Sequence, residues 1–129
     1  MEPTLNHGDR IFVSRAMAFS GTYDRGDLVM VRIYDDEGSR YIIKRIIARP
    51  GDVFVIDDGK IFINDELSLA NCEAYIAPNL SLALPDNYYF LMGDNTSLST
   101  DSRDFGPLHR SDIKGRVLFR FMGGSLNIY

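Results

Sequence analysis

Cysteine is almost missing: Cys72 is the only one in 129 residues, so no intrachain disulfide can form, nor a zinc centre built on several thiolates. The fold must rest on its apolar core. Histidine is nearly as scarce; His7 and His109 lie far apart beside turn residues, which points to surface positions and away from a triad or a metal pair. Positive charge is not in excess. With 14 Lys and Arg against 18 Asp and Glu, and a formal net charge of -4, no basic face is available to grip phosphates, so nucleic acid is excluded as an expected partner. No apolar run approaches the ~20 residues that span a bilayer, and no charged-then-apolar leader opens the chain, so the domain as it stands is expected to be soluble. Internal repeats, low-complexity tracts, linkers and sustained helical periodicity are also missing.

Apolar residues at 45% and charged residues at 25% describe a globular protein, and the length suits one domain covering residues 1–129. Short runs of Val, Ile, Phe and Tyr stop at Gly, Asp, Asn or Pro, which predicts a mostly β protein of antiparallel, partly barrel-like sheets with at most one or two short helical turns. Strands are expected at Arg10–Ser14, Leu28–Tyr34, Arg40–Ala48, Val53–Ile56, Lys60–Asn64, Tyr88–Met92 and Gly115–Met122. Four Gly-Asp pairs, at Gly8, Gly26, Gly51 and Gly93, each abut a strand, and Asp57-Asp58-Gly59-Lys60 reads as a tight hairpin. The stretch from Ser68 to Asp86, with Pro78 and Pro85, is expected to be a long surface excursion; Ser111–Lys114 suits one helical turn. The acidic runs at Asp35-Asp36-Glu37 and Asp57-Asp58 read as solvated hairpin tips, since the spacing of a calcium loop is missing. Alternation at Val117, Phe119 and Phe121 reads as packing.

Two segments carry candidate chemistry. In the strand around Lys44, alternation places the lysine with Ile42, Ile46 and Ala48, and Arg45 with Tyr41, Ile43 and Ile47, so each face is apolar but for one cation. An ammonium buried among isoleucines loses charge more readily, the condition under which lysine serves as a general base; the plainer alternative is a lysine that snorkels to water or pairs with a carboxylate. The second segment, Gly93 to Gly106, is a polar loop following an apolar strand. There Asp101 and Arg103 are spaced to pair, Ser99 is suited to hydrogen-bond an amine, and plain turn chemistry is the competing account.

Four boxes in order resemble those of bacterial type I signal peptidases. Met1-Glu2-Pro3-Thr4-Leu5 with Gly8-Asp9 is similar to the family's Ser-Met-x-Pro-Thr-Leu box, and Arg25-Gly26-Asp27-Leu28-Val29 to the next. Ile43-Lys44-Arg45-Ile46-Ile47 with Pro50-Gly51-Asp52 resembles the lysine box; Gly93-Asp94-Asn95 with Ser99, Asp101, Ser102, Arg103 and Gly106 resembles the last. The resemblance implies a serine-lysine endopeptidase in which Lys44 is the general base and Ser99 orients it. Arg45, Asp94, Asp101 and Arg103 would be structural at the site, and Met1, Leu5, Met30, Ile42 and Ile43 would line shallow pockets for small side chains of a signal-peptide end. It also implies no cofactor, no metal, signal peptides of exported preproteins as partners, and a domain on the extracytoplasmic side of the bacterial cell membrane.

The departures have consequences. The family's nucleophile is the serine immediately before Met1, outside this sequence, so the chain by itself is expected to be inactive; Ser14, Ser20 and Ser97 do not occupy that position. The abrupt start leads to the expectation that a preceding segment, with the serine and a membrane anchor, belongs to the parent protein. Ala48 stands where glycine is common and Thr96 where arginine is common. Two rival readings stand beside the protease: a non-catalytic relative that binds exported or pilin-like substrates and assists assembly, and a self-cleaving repressor domain with a similar serine-lysine pair, which fits less well because no DNA-binding part precedes the boxes.

Overall fold

The computed structural model describes residues 1–16, 21–71, 79–122 and 125–129. Its strands are β1 (Arg10–Ser14), β2 (Leu28–Asp35), β3 (Gly38–Ala48), β4 (Val53–Asp57), β5 (Lys60–Ile63), β6 (Glu66–Asn71), β7 (Leu80–Ala83), β8 (Tyr88–Met92), β9 (Leu108–His109), β10 (Ile113–Met122) and β11 (Ser125–Ile128). A one-turn helix α1 (Ser102–Phe105) and a 3-10 turn at Arg110–Asp112 complete the described elements. All pairings are antiparallel. One sheet runs β1-β10-β2-β3-β8-β9 with β11 beside β10, and a second runs β6-β5-β4-β7. The expected all-β fold is therefore observed; the helical turn expected at Ser111–Lys114 is corrected to Arg110–Asp112, with Ile113 and Lys114 already in β10.

The turns follow from residue chemistry. Asp58 and Gly59 both take positive φ (46° and 71°), the conformation that lets a two-residue hairpin match the right-handed twist of β4 and β5. Asn64 and Asp65 repeat the device without a glycine (52° and 67°) and turn the chain into β6. The surface excursion expected from Ser68 to Asp86 is corrected by this part of the fold. β6 pairs with β5 through Asn71, and Leu80–Ala83 forms β7 on the other side of β4, its Leu80 and Leu82 packed on the core. A four-residue strand close to two prolines offers too short an alternation to stand out. Residues 72–78 of that stretch, and Ser20, lie outside the described residues.

Two layers of core meet on β3. Between the sheets, Ile47, Ala48, Phe90 and Met92 pack against Phe54, Ile56, Ile61, Ile63 and Leu84, with the Phe54 and Phe90 rings stacked at 4.0 Å. On the opposite face of the large sheet, Val29, Val31, Ile46, Leu91 and Ile113 gather around Tyr23 and Tyr89. A bulge between Ile46 and Ala48 switches the strand from one layer to the other. This corrects the simple alternation: Ile46 stays on the face of Lys44, but Ala48 pairs with Phe90 and joins Ile47 in the inter-sheet core. A third cluster, Leu5, Leu28 and Val117 with Met1, Ile11, Val13 and Ile43 against it, seats the first residues on the sheet next to β3.

Candidate active site

Lys44 is delivered by β3 and is only 9% exposed. Its neighbours on that face are Val29 across the ladder and Ile42 and Ile46 along the strand. Its Nζ meets the Ser99 Oγ at 2.7 Å, across 55 residues of sequence. Burial lowers the Lys44 pKa from the ordinary lysine value; the Asp101 carboxylate opposes that shift and the Arg103 guanidinium adds to it. A neutral amine has two N–H donors and one lone pair. Given to Ser99, one N–H fixes the amine while the lone pair stays free to take a proton.

Ser99 is held by the loop that leaves β8. Asp101 has no exposed surface: it accepts the Gly93 N–H at 3.0 Å and grips Arg103 through two guanidinium nitrogens at 2.8 and 2.9 Å, and the Ser99 hydroxyl also bonds it. Burial alone would raise the Asp101 pKa, but Arg103, the Gly93 amide and Ser99 outweigh it and hold the carboxyl below its usual range. Asp101 also caps α1 in a reciprocal capping box with Asp104, while Ser102 Oγ accepts the Leu91 N–H at 2.9 Å. The loop is thereby sewn to the end of β8.

Gly93 makes this contact possible. A Cβ there would lie 2.2 Å from Ser99 Oγ and 3.3 Å from Lys44 Nζ. Gly93→Ala is therefore expected to push Ser99 off the amine and to cost about 1–3 kcal/mol through overpacking, read as a lower denaturant midpoint. An unchanged midpoint would show that both side chains step aside freely.

A cleft of about 650 Å³ opens beside the amine, with Met1, Leu5, Ile42, Ile43, Lys44 and Ser99 in its wall. Five of the residues singled out in the sequence thus share one cleft with Lys44. Met30 is not in that wall; it is half-buried one strand away, across the ladder from Ile43. From Gly38 to Lys44, β3 pairs with β2 on one edge, whereas β8 joins its other edge only from Arg45 onward, so among the described residues that edge has no strand beside it at the cleft. A second cavity of about 500 Å³ lies behind Arg45 and Asp94 and has neither Lys44 nor Ser99 in its wall.

The family model described as signal peptidase, peptidase S26, matches residues 1–122. The chain belongs to the S26 signal peptidase family. It is 34% identical to signal peptidase I S of Bacillus subtilis (strain 168), over 94% of this chain and 71% of that protein. It is 32% identical to thylakoidal processing peptidase 1 of Arabidopsis thaliana over the same share of this chain, and spans only 39% of that relative's length. A crystal structure of a signal peptidase I from Enterococcus faecalis superposes with a TM-score of 0.60 at 21% identity, covering 74% of this chain and 97% of that one, which supports the fold.

In this member of the signal peptidase family, the Gly-Asp pairs do more than turn the chain. Each aspartate meets an arginine from another element: Asp9 with Arg120, Asp27 with Arg116, Asp52 with Arg25 and Asp94 with Arg45. Asp94 receives Arg45 through two nitrogens at 2.8 and 2.7 Å and also accepts the Thr4 hydroxyl, and these bonds outweigh burial to lower its pKa. Asp52 accepts Arg25, the Arg49 amide and Asn64. Thr4, Gly93, Arg25 and Arg120 escaped the sequence reading as partners in these contacts. The recurrence of Gly-Asp beside strands was a visible signal, but nothing in the chain pairs a given aspartate with its arginine.

Proposed function

We propose that this domain is the catalytic part of a type I signal peptidase, a serine endopeptidase that cuts signal peptides from exported preproteins after small residues. The observation that carries the reading is the Lys44–Ser99 contact at 2.7 Å, buried at the wall of a cleft that Met1 and Leu5 also line. A serine immediately before Met1 would attack the substrate carbonyl and pass its proton to Lys44 Nζ. The amine then returns that proton to the departing nitrogen as the peptide bond breaks, leaving an ester on the serine. Water, with Lys44 again as base, hydrolyses the ester. The Ser99 and Asp101 contacts hold the amine in register through both halves. An extended substrate fits along the open edge of β3, its backbone taking the hydrogen bonds β8 does not and its small side chains entering the wall of Met1, Leu5 and Ile43.

Among the described residues no helix is long and apolar enough to cross a membrane. In the parent protein, an anchor preceding the serine would hold the domain at the outer face of the bacterial cell membrane, where exported chains emerge.

The test is a pair of proteins, this chain and the same chain extended by the serine and its upstream anchor, assayed on a peptide with an Ala-X-Ala end. The extended protein is expected to cut and the shorter one not. Because Lys44 works as the free base, and its pKa is lowered, the rate should climb with pH along a limb whose midpoint lies below the ordinary lysine value of 10.5. Equal activity in both proteins would remove the proposed nucleophile.

Ser99→Ala in the extended protein is expected to slow cleavage by about 10- to 100-fold while the fold persists, since the amine loses its guide but not its burial. Circular dichroism beside the kinetic assay separates this from unfolding, and an unfolded variant would make the role of Ser99 structural.

A further inference from the structure

We infer that Arg120 and Tyr129 are positioning residues, which clamp the Thr4 carbonyl from the far end of the fold and so fix the Met1–Leu5 turn against the Lys44 cleft. The inference rests on the protease reading above. Arg120 Nη1 donates to the Thr4 carbonyl at 2.5 Å, and the Tyr129 hydroxyl donates to the same oxygen at 3.1 Å. A carbonyl oxygen has two lone pairs, and here both are taken. Arg120 Nη1 also reaches Asp9 Oδ2 at 3.3 Å, so one guanidinium touches both ends of the segment between Thr4 and β1. Tyr129 is tied in turn, its N–H donating to the Leu118 carbonyl at 2.8 Å and its side chain packing on the Leu5, Leu28 and Val117 cluster.

Thr4 is therefore held on two sides. Its hydroxyl goes to Asp94, which Arg45 grips, and Arg45 is the next residue after Lys44 on β3. Its carbonyl goes to β10 and Tyr129. The turn itself has little to hold it: one backbone bond joins the Leu5 N–H to the Met1 carbonyl at 3.0 Å. Arg120 would be an odd residue for β10 without this task. It sits across the ladder from Ile11, on the face that packs against the Leu5 cluster, and its side chain is only 14% exposed. A nucleophile must stand within about 0.5 Å of its productive place, and a displacement of about 1 Å can cost about 100-fold in rate.

The experiment uses the serine-extended, anchored protein with Arg120→Gln, Arg120→Lys and Tyr129→Phe. For Arg120→Gln, kcat is expected to fall about 10- to 100-fold with KM held within about twofold, because the substrate wall is intact but the attack geometry is not. Lysine can serve Thr4 or Asp9 but not both in the same geometry, so Arg120→Lys should recover part of the loss, and Tyr129→Phe should show a smaller fall of the same kind. The pH midpoint of the remaining activity should not move, since Lys44 keeps its surroundings. Amide hydrogen exchange at Leu5 should quicken while that at Gly93 stays slow. An unchanged kcat per folded molecule, a rise in KM matching the whole loss, or a Leu5 amide protected as in the parent would overturn the clamp. If the parent protein cuts nothing, the protease reading fails and Leu5 exchange alone decides the clamp. Should Arg120→Gln not fold, the other two variants give the same readings.

Discussion

Lys44→Ala in the serine-extended protein is expected to lower kcat by about 10⁴-fold, leaving substrate binding nearly intact. Lys44 is the buried amine in the wall of the cleft, its Nζ fixed by Ser99 and its pKa lowered by burial. Lys44→Met, which keeps the length and the apolar stem, should lose as much activity and gain stability. The sign comes from proton counting. The amine is buried with a lowered pKa, so between that value and 10.5 the unfolded chain binds more protons than the folded one, and stability rises with pH through that window. A methionine removes the dependence. The measurement is kcat beside denaturant unfolding at several pH values; full activity in Lys44→Ala would dismiss the lysine as base.

Asp101→Ala is expected to cost about 3–5 kcal/mol, the largest stability loss of any single change at the site, because it strands the Arg103 charge in the interior. The Arg103 side chain is 3% exposed and that of Asp101 0%. The aspartate also caps α1 and takes the Gly93 N–H, so its removal frees the loop that carries Ser99. Activity should disappear along with stability. Acid should reproduce part of the effect: the folded pKa is held low, so the stabilisation is full above the unfolded carboxyl value and fades as pH falls through the folded one. Urea titration at neutral and acid pH reads both. A loss under about 1 kcal/mol would mean that water reaches Arg103 in the variant.

Much of this was legible in the chain. Strand boundaries at β1, β2, β4 and β8 fell within a residue of the alternating runs, because each run is bounded by a turn residue whose backbone preference is strong. Lys44 and Ser99 were legible as a pair only through the order of the four boxes; neither residue type announces its partner across 55 positions. β7 was hidden by its length, and the placement of Ala48 by a bulge, which adds one residue to one strand without altering composition. Met30, which the resemblance places beside a substrate pocket, does not line the cleft, because the ladder pairs it with Ile43 and puts it one strand further from the open edge. Arg120 could not be found from sequence, since its meaning depends on a carbonyl oxygen 116 residues away.

The arginine-aspartate clasps also set an order in time. Of the four clasps made by Gly-Asp aspartates, only that of Asp52 with Arg25 can close once the first half of the chain exists; the other three wait for Asp94, Arg116 or Arg120. As synthesis proceeds from the N-terminus, the turn at Met1 gains the Asp94 anchor of Thr4 first and is held on both sides only once residue 120 has emerged. Whatever chemistry that turn carries is thus deferred to the last stage of the molecule's own assembly, a safeguard suited to a chain that, on the proposed reading, crosses a membrane before it meets its substrates.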